Sequence, residues 1–241
     1  MKREHCNGFT LVEMAIVLLI LGLLLGGGLT VLGSQLEQQR AKDTQRLLDE
    51  AREALIGFAI VNGRLPRPAT SAVNGLENVA ACATDLACSG LIPWTTLGTT
   101  KADAWGKILR YSVTPAFANA NFLLNTVATK KIQTRDTGGA LVYLAGQAGV
   151  CSAADPCVPV VVFSHGRSHW GTTEAGIAIP DGSGTNVDED TNQTGGALGV
   201  TYVQRPSTEG TTALGGEFDD LVIWLPPGIL FNRMVQAGRL P

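Results

Sequence analysis

The longest apolar segment of the chain lies near its amino terminus, at residues 9–36. It contains 28 residues and a single charged side chain, Glu13. As an α-helix rising ~1.5 Å per residue, this segment is ~42 Å long, which is enough to cross a bilayer. No small-residue cleavage site follows it, so we expect the segment to be retained as a membrane span. Lys2 and Arg3 precede it and predict that the amino end stays in the cytoplasm.

The helical pattern continues beyond the apolar segment, but with two different faces. Apolar residues recur at three- and four-residue steps while charged residues fill the other positions. We therefore predict one long helix from Phe9 to Ile60, ended by Asn62-Gly63 and by the prolines that follow. The apolar stripe consists of Leu36, Leu47, Leu48, Ala51, Leu55 and Phe58.

The remainder of the chain alternates short β-rich runs with Gly, Thr, Asn and Pro. A short closing helix is expected from Pro227, with Gly238 beyond its end. The predicted class is α+β, with the long helix packed on an antiparallel sheet. We divide the chain into residues 1–8, a helix at 9–62 and a β-rich globular domain at 63–241. The expected strands are residues 107–114, 140–145, 158–164, 198–204 and 219–225.

Composition narrows the function classes. Of 241 residues, 45 % are hydrophobic and only 16 % are charged, and the formal charge is −3. Such a balanced total does not by itself indicate a nucleic-acid partner. Three histidines are few for an enzyme, and we expect no catalytic residues.

Four of the five cysteines form two pairs with the same C-x5-C spacing, Cys82 with Cys88 and Cys151 with Cys157. Zinc sites more often use closer pairs with a histidine partner, so disulfides are favoured over metal ligation or free thiols. Bonding within each pair is the local choice among the three possible connectivities. Disulfides imply an oxidising compartment.

Glu13 is the residue that a plain membrane anchor does not explain, because an ionisable group inside a span is costly. A carboxylate reaching the nearby headgroups is the simplest alternative. The sequence around it, Gly-Phe-Thr-Leu-Val-Glu at residues 8–13, follows a short basic leader and opens the apolar helix. This combination resembles the prepilin signature of type IV pilins and type II secretion pseudopilins.

The resemblance implies cleavage between Gly8 and Phe9 by a prepilin peptidase and methylation of the new Phe9 amine. Cys6 leaves with the leader. The cationic amine then lies four residues, or ~6 Å of helix, from Glu13. In a bundle of staggered helices, Glu13 of one subunit can meet the Phe9 amine of its neighbour and fix their axial register.

Further motifs extend the resemblance into the globular part, where they follow the order of major-pseudopilin-like domains. They are Gly-Arg-Leu-Pro at 63–66, Asp-Ala-Trp-Gly at 103–106, Phe-Ser-His-Gly at 163–166 and Asp-Asp-Leu-Val at 219–222. Ala104 replaces the family's proline, and inserts lengthen the chain around 70–98, 115–139 and 172–216. These departures favour a minor or specialised subunit.

In the major pseudopilins, the loop before the final strand holds calcium, a cation that prefers carboxylate and carbonyl oxygens. Asp219 and Asp220 match the family's acidic pair. Asp188 and Asp190 lie in the long acidic insert and are included for their charge alone. These four residues form the expected calcium site, with a solvated acidic loop as the alternative. The stretch from Asp181 lacks EF-hand spacing.

Other candidate chemistry is weaker. His165 and His169 are spaced four residues apart, which on a helix would place both side chains on one face, as in some metal sites. We expect them in a loop, where this spacing does not indicate a metal site. Ser164-His165 does not form the Gly-x-Ser-x-Gly elbow of hydrolases. Basic residues between 101 and 135 predict a patch that binds DNA or, as we favour, the acidic loop of the next subunit. They are Lys101, Lys107, Arg110, Lys130, Lys131 and Arg135.

We therefore expect a non-enzymatic filament subunit of a type IV pilus or a type II secretion pseudopilus. Before assembly it lies in the inner membrane as a single-pass precursor, and afterwards in a periplasmic or extracellular filament. Its expected partners are other pilin or pseudopilin subunits, the prepilin peptidase, the inner-membrane assembly platform and membrane lipid. The alternatives are an adhesive or DNA-binding minor pilin and an anchored periplasmic enzyme.

Overall fold

The computed structural model describes residues 9–152 and 156–240, and for residues 24–32 it describes the backbone alone. The predicted leader, its cleavage site at Gly8 and Cys6 lie outside the described residues. Contacts divide the chain into two compact units, one ending at Lys42 and the other beginning at Asp43.

The first helix, α1 (Leu11–Asn62), has 52 residues and agrees with the predicted long helix. It ends at Gly63, whose φ of +73° suits glycine and whose N–H donates to the Ala59 carbonyl at 2.7 Å. Within the described residues, no helix combines the length and the apolar character that crossing a bilayer requires. The predicted span over residues 9–36 is therefore not confirmed.

The part of α1 that belongs to the second unit buries one face in the core. Leu48, Ala51, Leu55 and Ala59 are completely buried and follow one another at three- and four-residue steps. They join a cluster to which Tyr111 and other apolar residues of the sheet contribute. Leu48, Ala51 and Leu55 of the predicted stripe therefore face the core, whereas Leu47 and Phe58 are half-buried and Leu36 is exposed.

The described residues of the second unit also form seven strands and four short helices. The strands are β1 (Ser89–Leu91), β2 (Arg110–Val113), β3 (Lys131–Arg135), β4 (Leu141–Ala145), β5 (Val160–Ser164), β6 (Thr201–Val203) and β7 (Leu221–Leu225). The helices are α2 (Trp94–Leu97), α3 (Pro115–Ala118), α4 (Val187–Thr194) and α5 (Pro227–Gln236). The chain is therefore α+β, as predicted.

The strands form two sheets. The first has the order β1-β2-β5-β7 and is antiparallel throughout, with β5 fully buried in its centre. The second has the order β4-β3-β6, and β3 pairs with β6 in parallel. The prediction of antiparallel pairing alone misses this pair, because parallel strands are joined by a long crossover that local sequence patterns do not reveal.

Both expected cysteine pairs are disulfide-bonded in the structure. Cys82 is bonded to Cys88 and Cys151 to Cys157, with Cα–Cα distances of 5.2 Å and 5.7 Å. Each bond closes a short loop of the second unit. The first loop leads directly into β1.

Candidate functional site

The amino end of α1 is capped by Thr10 and Glu13. The backbone N–H and the hydroxyl of Thr10 both donate to Glu13 Oε2, at 2.8 Å and 2.9 Å. The Glu13 N–H donates in return to the Thr10 hydroxyl at 3.2 Å. This reciprocal arrangement is a capping box, which satisfies backbone donors that have no partner inside the helix. Glu13 therefore stabilises its own helix, a role that the resemblance did not predict.

The side chains around this cap are exposed and apolar. Phe9 is 81 % exposed and Leu11 90 % exposed, and the apolar side chains onward to Leu23 are also exposed. Transferring such a surface out of water is favourable, so it is suited to burial in lipid or against other helices. The predicted pairing of Glu13 with a neighbour's Phe9 amine needs a second subunit and stays a prediction.

A second candidate site lies where α4 meets the start of β7. Carboxylate oxygens of Glu189, Asp219 and Asp220 lie within 4.8 Å of one another. Asp219 and Asp220 immediately precede β7, and Glu189 lies in the first turn of α4. Because α4 and β7 are separate in sequence, only the tertiary fold brings the three carboxylates together.

Each carboxylate of this cluster is held by specific donors. The two oxygens of Glu189 accept from the Asp219 N–H at 2.7 Å and from the Asn186 side-chain amide at 3.0 Å. Asp220 accepts from the Asn192 amide at 2.8 Å, and its other oxygen lies 3.2 Å from His165 Nδ1. These bonds fix the carboxylate positions before any ligand binds.

The cluster carries more negative than positive charge. Burial, reinforced by the neighbouring Asp220 carboxylate, raises the pKa of Glu189 to about 7. Burial also raises the pKa of Asp219. The cation that faces the cluster is Lys107, which donates to the carbonyls of His165 at 3.2 Å and His169 at 2.7 Å. Burial lowers the pKa of Lys107, although the surrounding carboxylates oppose this effect.

Two oxygens at the cluster accept no hydrogen bond among the described residues. One is Oδ1 of Asn186, a fully buried side chain whose amide nitrogen donates to Glu189. The other is Oδ1 of Asp219. Buried oxygens without a donor are uncommon in folded proteins. Both are the oxygen type that a hard cation prefers.

The predicted calcium set is only half brought together. Asp188 lies instead between two arginines, with 2.7 Å to Arg135 Nη2 and 2.7 Å to Arg205 Nε. Asp190 accepts from the Trp170 indole at 2.9 Å. Successive helical residues point in different directions, so one residue of the Asp188–Asp190 run reaches the cluster and its neighbours do not. That residue is Glu189, which sequence reasoning passed over because no helix was predicted there.

The predicted basic patch is dispersed by the fold. Lys107 is buried, Lys130 pairs with Asp85 at 2.9 Å, and Arg135 binds Asp188 in the same chain. These are contacts within one molecule, and the predicted docking on the acidic loop of the next subunit stays a prediction. Lys101 and Lys131 donate to carbonyls of Glu174 and Gly149.

Ser164 and His165 do not form a nucleophile–base pair. The Ser164 hydroxyl donates to Asp103 Oδ2 at 2.5 Å. The imidazole of His165 contacts Asp220 through Nδ1 and Gln193 through Nε2. The imidazole of His169 lies 2.9 Å from Glu217 instead. The hydrogen bond between Ser164 and Asp103 joins the Phe-Ser-His-Gly motif to the Asp-Ala-Trp-Gly motif, and its role is structural.

Comparison with known proteins agrees with the resemblance of the amino terminus to the prepilin signature. Residues 3–29 match the family described as the prokaryotic N-terminal methylation motif. No curated protein and no solved structure matches the chain. The matched residues include the Gly8–Phe9 junction, Glu13 and most of the apolar segment. The chain therefore carries a prokaryotic N-terminal methylation motif, which supports an amino terminus of the type IV pilin or pseudopilin precursor type.

Proposed function

We propose that this chain is a structural subunit of a type IV pilus or a type II secretion pseudopilus, in a minor or specialised role. The observation that carries the proposal is the methylation motif at residues 3–29. A motif of this type indicates a structural protein that is processed by a prepilin peptidase and assembled with other pilin subunits. The long inserts of the globular part favour the specialised role.

In this proposal the precursor is held in the inner membrane, cut after Gly8 and then extracted by the assembly platform. The exposed apolar side chains between Phe9 and Leu23 lie in lipid before assembly and against neighbouring helices afterwards. Both environments remove them from water. The β-rich unit then lies outside the helical core of the filament.

Glu13 has two roles in the proposal. Within its own chain it caps α1 through Oε2, which accepts both hydrogen bonds from Thr10. Across the subunit contact, its negative charge pairs with the Phe9 amine that cleavage creates. Neither charge is stable alone among apolar helices, so the pair favours one axial register.

The two roles are separated by comparing Glu13→Ala with Thr10→Ala. Both changes remove the capping box, which costs about 1 kcal/mol of helix stability. Only the first removes the charge, so we expect Glu13→Ala to be cleaved normally yet to be absent from sheared filaments. Thr10→Ala is expected to enter filaments. The measurement is the yield of each variant in filaments, with mass spectrometry of the mature amino terminus.

Glu13→Gln completes this series because an amide still accepts the Thr10 hydrogen bonds without the charge. We expect it to fail as Glu13→Ala does. Normal filament entry by either Glu13 variant would contradict the charge pairing. Retention of residues 1–8 in the isolated protein would contradict the proposed function itself and favour an anchored enzyme.

We also propose that Glu189, Asp219 and Asp220 bind calcium, since their mutual proximity and the unpartnered Asn186 oxygen suit a hard cation. This set replaces the one expected from sequence. The bound ion would tie α4 to β7 and thereby stabilise the long insert between them.

The calcium proposal is tested on the full chain in detergent by thermal unfolding with calcium and with chelator. We expect calcium to raise the melting temperature of the wild type and of Asp190→Asn, whose carboxylate lies outside the cluster. Glu189→Gln is expected to lose the shift. An unchanged wild-type melting temperature would remove the proposal, as would an equal shift in Glu189→Gln.

A further inference from the structure

A cleft of about 410 Å³ opens beside β1 in the second unit, and its lining residues include neither the cap of α1 nor the three carboxylates of the cluster. Its walls come from residues between 67 and 72 and between 78 and 82, from Ala87 and β1, from the start of β2, and from Thr172 and Gly176. Most lining side chains are small, among them Ala69, Ala80, Ala87 and Ser89. The volume lies within the range of small-molecule sites.

Two arginines line this cleft, and no acidic residue does. Arg110 lies at the start of β2, and its guanidinium forms no hydrogen bond or ion pair with any described residue; its Nε is buried without a partner. Burial lowers the pKa of its guanidinium. A largely buried cation without a counter-charge is costly, which makes Arg110 the unexplained group of the cleft.

The second arginine, Arg67, is held in place by neutral acceptors. Its Nε donates to Asn119 Oδ1 at 3.1 Å, and its Nη1 donates to the Val79 carbonyl at 3.3 Å. Asn119 also donates to the Cys82 carbonyl at 2.8 Å, so the first disulfide loop supports this wall. The nearby Glu77 carboxylate is occupied by Arg64 through two bonds of 2.8 Å. Glu77 also accepts from the Arg67 N–H at 3.1 Å, but among the described residues no carboxylate lines the cleft or pairs with the Arg110 guanidinium.

We propose that this cleft binds a small polar ligand through a carboxylate or phosphate group, with Arg110 as its main contact. A guanidinium presents parallel donors that match the oxygens of either group. The small lining residues leave room for the rest of the ligand, and the hydroxyls of Thr70 and Thr172 lie at the same cleft. This inference is independent of filament assembly, because the cleft lies wholly in the second unit.

The test is calorimetric titration of the full chain in detergent with glucuronate and with inorganic phosphate, and with glucose as a neutral control. We expect saturable binding of one or both anions, in the millimolar range or tighter, and no binding of glucose. Binding by glucuronate alone identifies a carboxylate ligand, whereas binding by phosphate alone identifies a phosphate ligand. Failure of both anions to bind would overturn the proposal.

Arg110→Met and Arg46→Met form a matched pair for the same titration. Arg46 is an exposed arginine of α1 and is the control. We expect Arg110→Met to lose binding at least tenfold and, without ligand, to melt at a higher temperature than the wild type, because an unpaired buried charge is removed. Unchanged affinity in Arg110→Met would overturn the proposal, and equal loss in Arg46→Met would show non-specific charge attraction instead.

Discussion

The buried carboxylate of Asp188 holds two arginines that come from different parts of the fold. Arg135 reaches it from β3 with two bonds of 2.7 Å and 2.8 Å, and Arg205 reaches it from beyond β6 at 2.7 Å. The chain passes close by at Gly215, where any added Cβ would clash with Asp188 Oδ2. A glycine there, with a φ of +86°, lets the acidic insert close over the ion pair.

Asp188→Asn should therefore destabilise the second unit strongly. It leaves two guanidinium groups without their counter-charge, one of them in the buried Arg205, at an expected cost of about 3 kcal/mol. The measurement is the free energy of unfolding of the full chain in guanidinium chloride. Asp43→Asn, at an exposed position of α1, is the control. Equal stability of the two variants would mean that Asp188 contributes little.

Lys130 gives the stability of the protein a defined pH dependence. Its side chain is fully buried, and burial lowers its pKa from 10.5 to about 8 although Asp85 lies 2.9 Å from Nζ. Between these two values the unfolded chain binds a proton that the folded chain does not. Stability contributed by this group therefore increases as pH rises from about 8 towards 10.5.

Comparison of the wild type with Lys130→Met isolates this effect. We expect the free energy of unfolding of the wild type to rise relative to the variant by up to about 1.4 kcal/mol per pH unit within that window. Chemical denaturation at several pH values measures it, with Lys42→Met at an exposed position as the control. If the difference in free energy of unfolding between the wild type and Lys130→Met stayed constant with pH, the lowered pKa of the buried Lys130 ammonium would be contradicted.

Among the elements, α1 was the most fully predictable. Its length, its end at Gly63 and its inward face follow from apolar spacing and from the residues that stop a helix. Strands β5 and β7 were also predictable, because buried strands read as continuous apolar runs. The eight residues of α4 were not, since charged and amide side chains dominate them and only the fold buries Glu189 and Asn192.

The packing of α1 against the sheet leads to a test at the level of the element. Leu55 is completely buried, whereas Leu36 on the same helix is 49 % exposed. Leu55→Ala should lower the free energy of unfolding by about 2–5 kcal/mol because it leaves a cavity in the core. Leu36→Ala should change it by less than about 0.5 kcal/mol. Denaturation followed by tryptophan fluorescence distinguishes them, and similar losses would mean that the stripe is not the core face.

For the whole molecule, the sequence by itself determined the prepilin-type amino terminus, the α+β class and the long helix. These features depend on residues close together in the chain, where spacing, helix termination and a short motif can be recognised directly. The local disulfide pairs belong to the same group, since five residues separate each pair of cysteines.

Only the tertiary structure decided which charged groups meet. It placed Glu189 with Asp219 and Asp220, drew Asp188 towards two arginines, and left the Arg110 guanidinium in a cleft without a partner among the described residues. The physical reason is that the interaction of charges depends on distance and burial in three dimensions. The separation of two residues in the sequence fixes neither their distance nor their burial. The partners of a charged residue therefore become known only when strands and helices are packed.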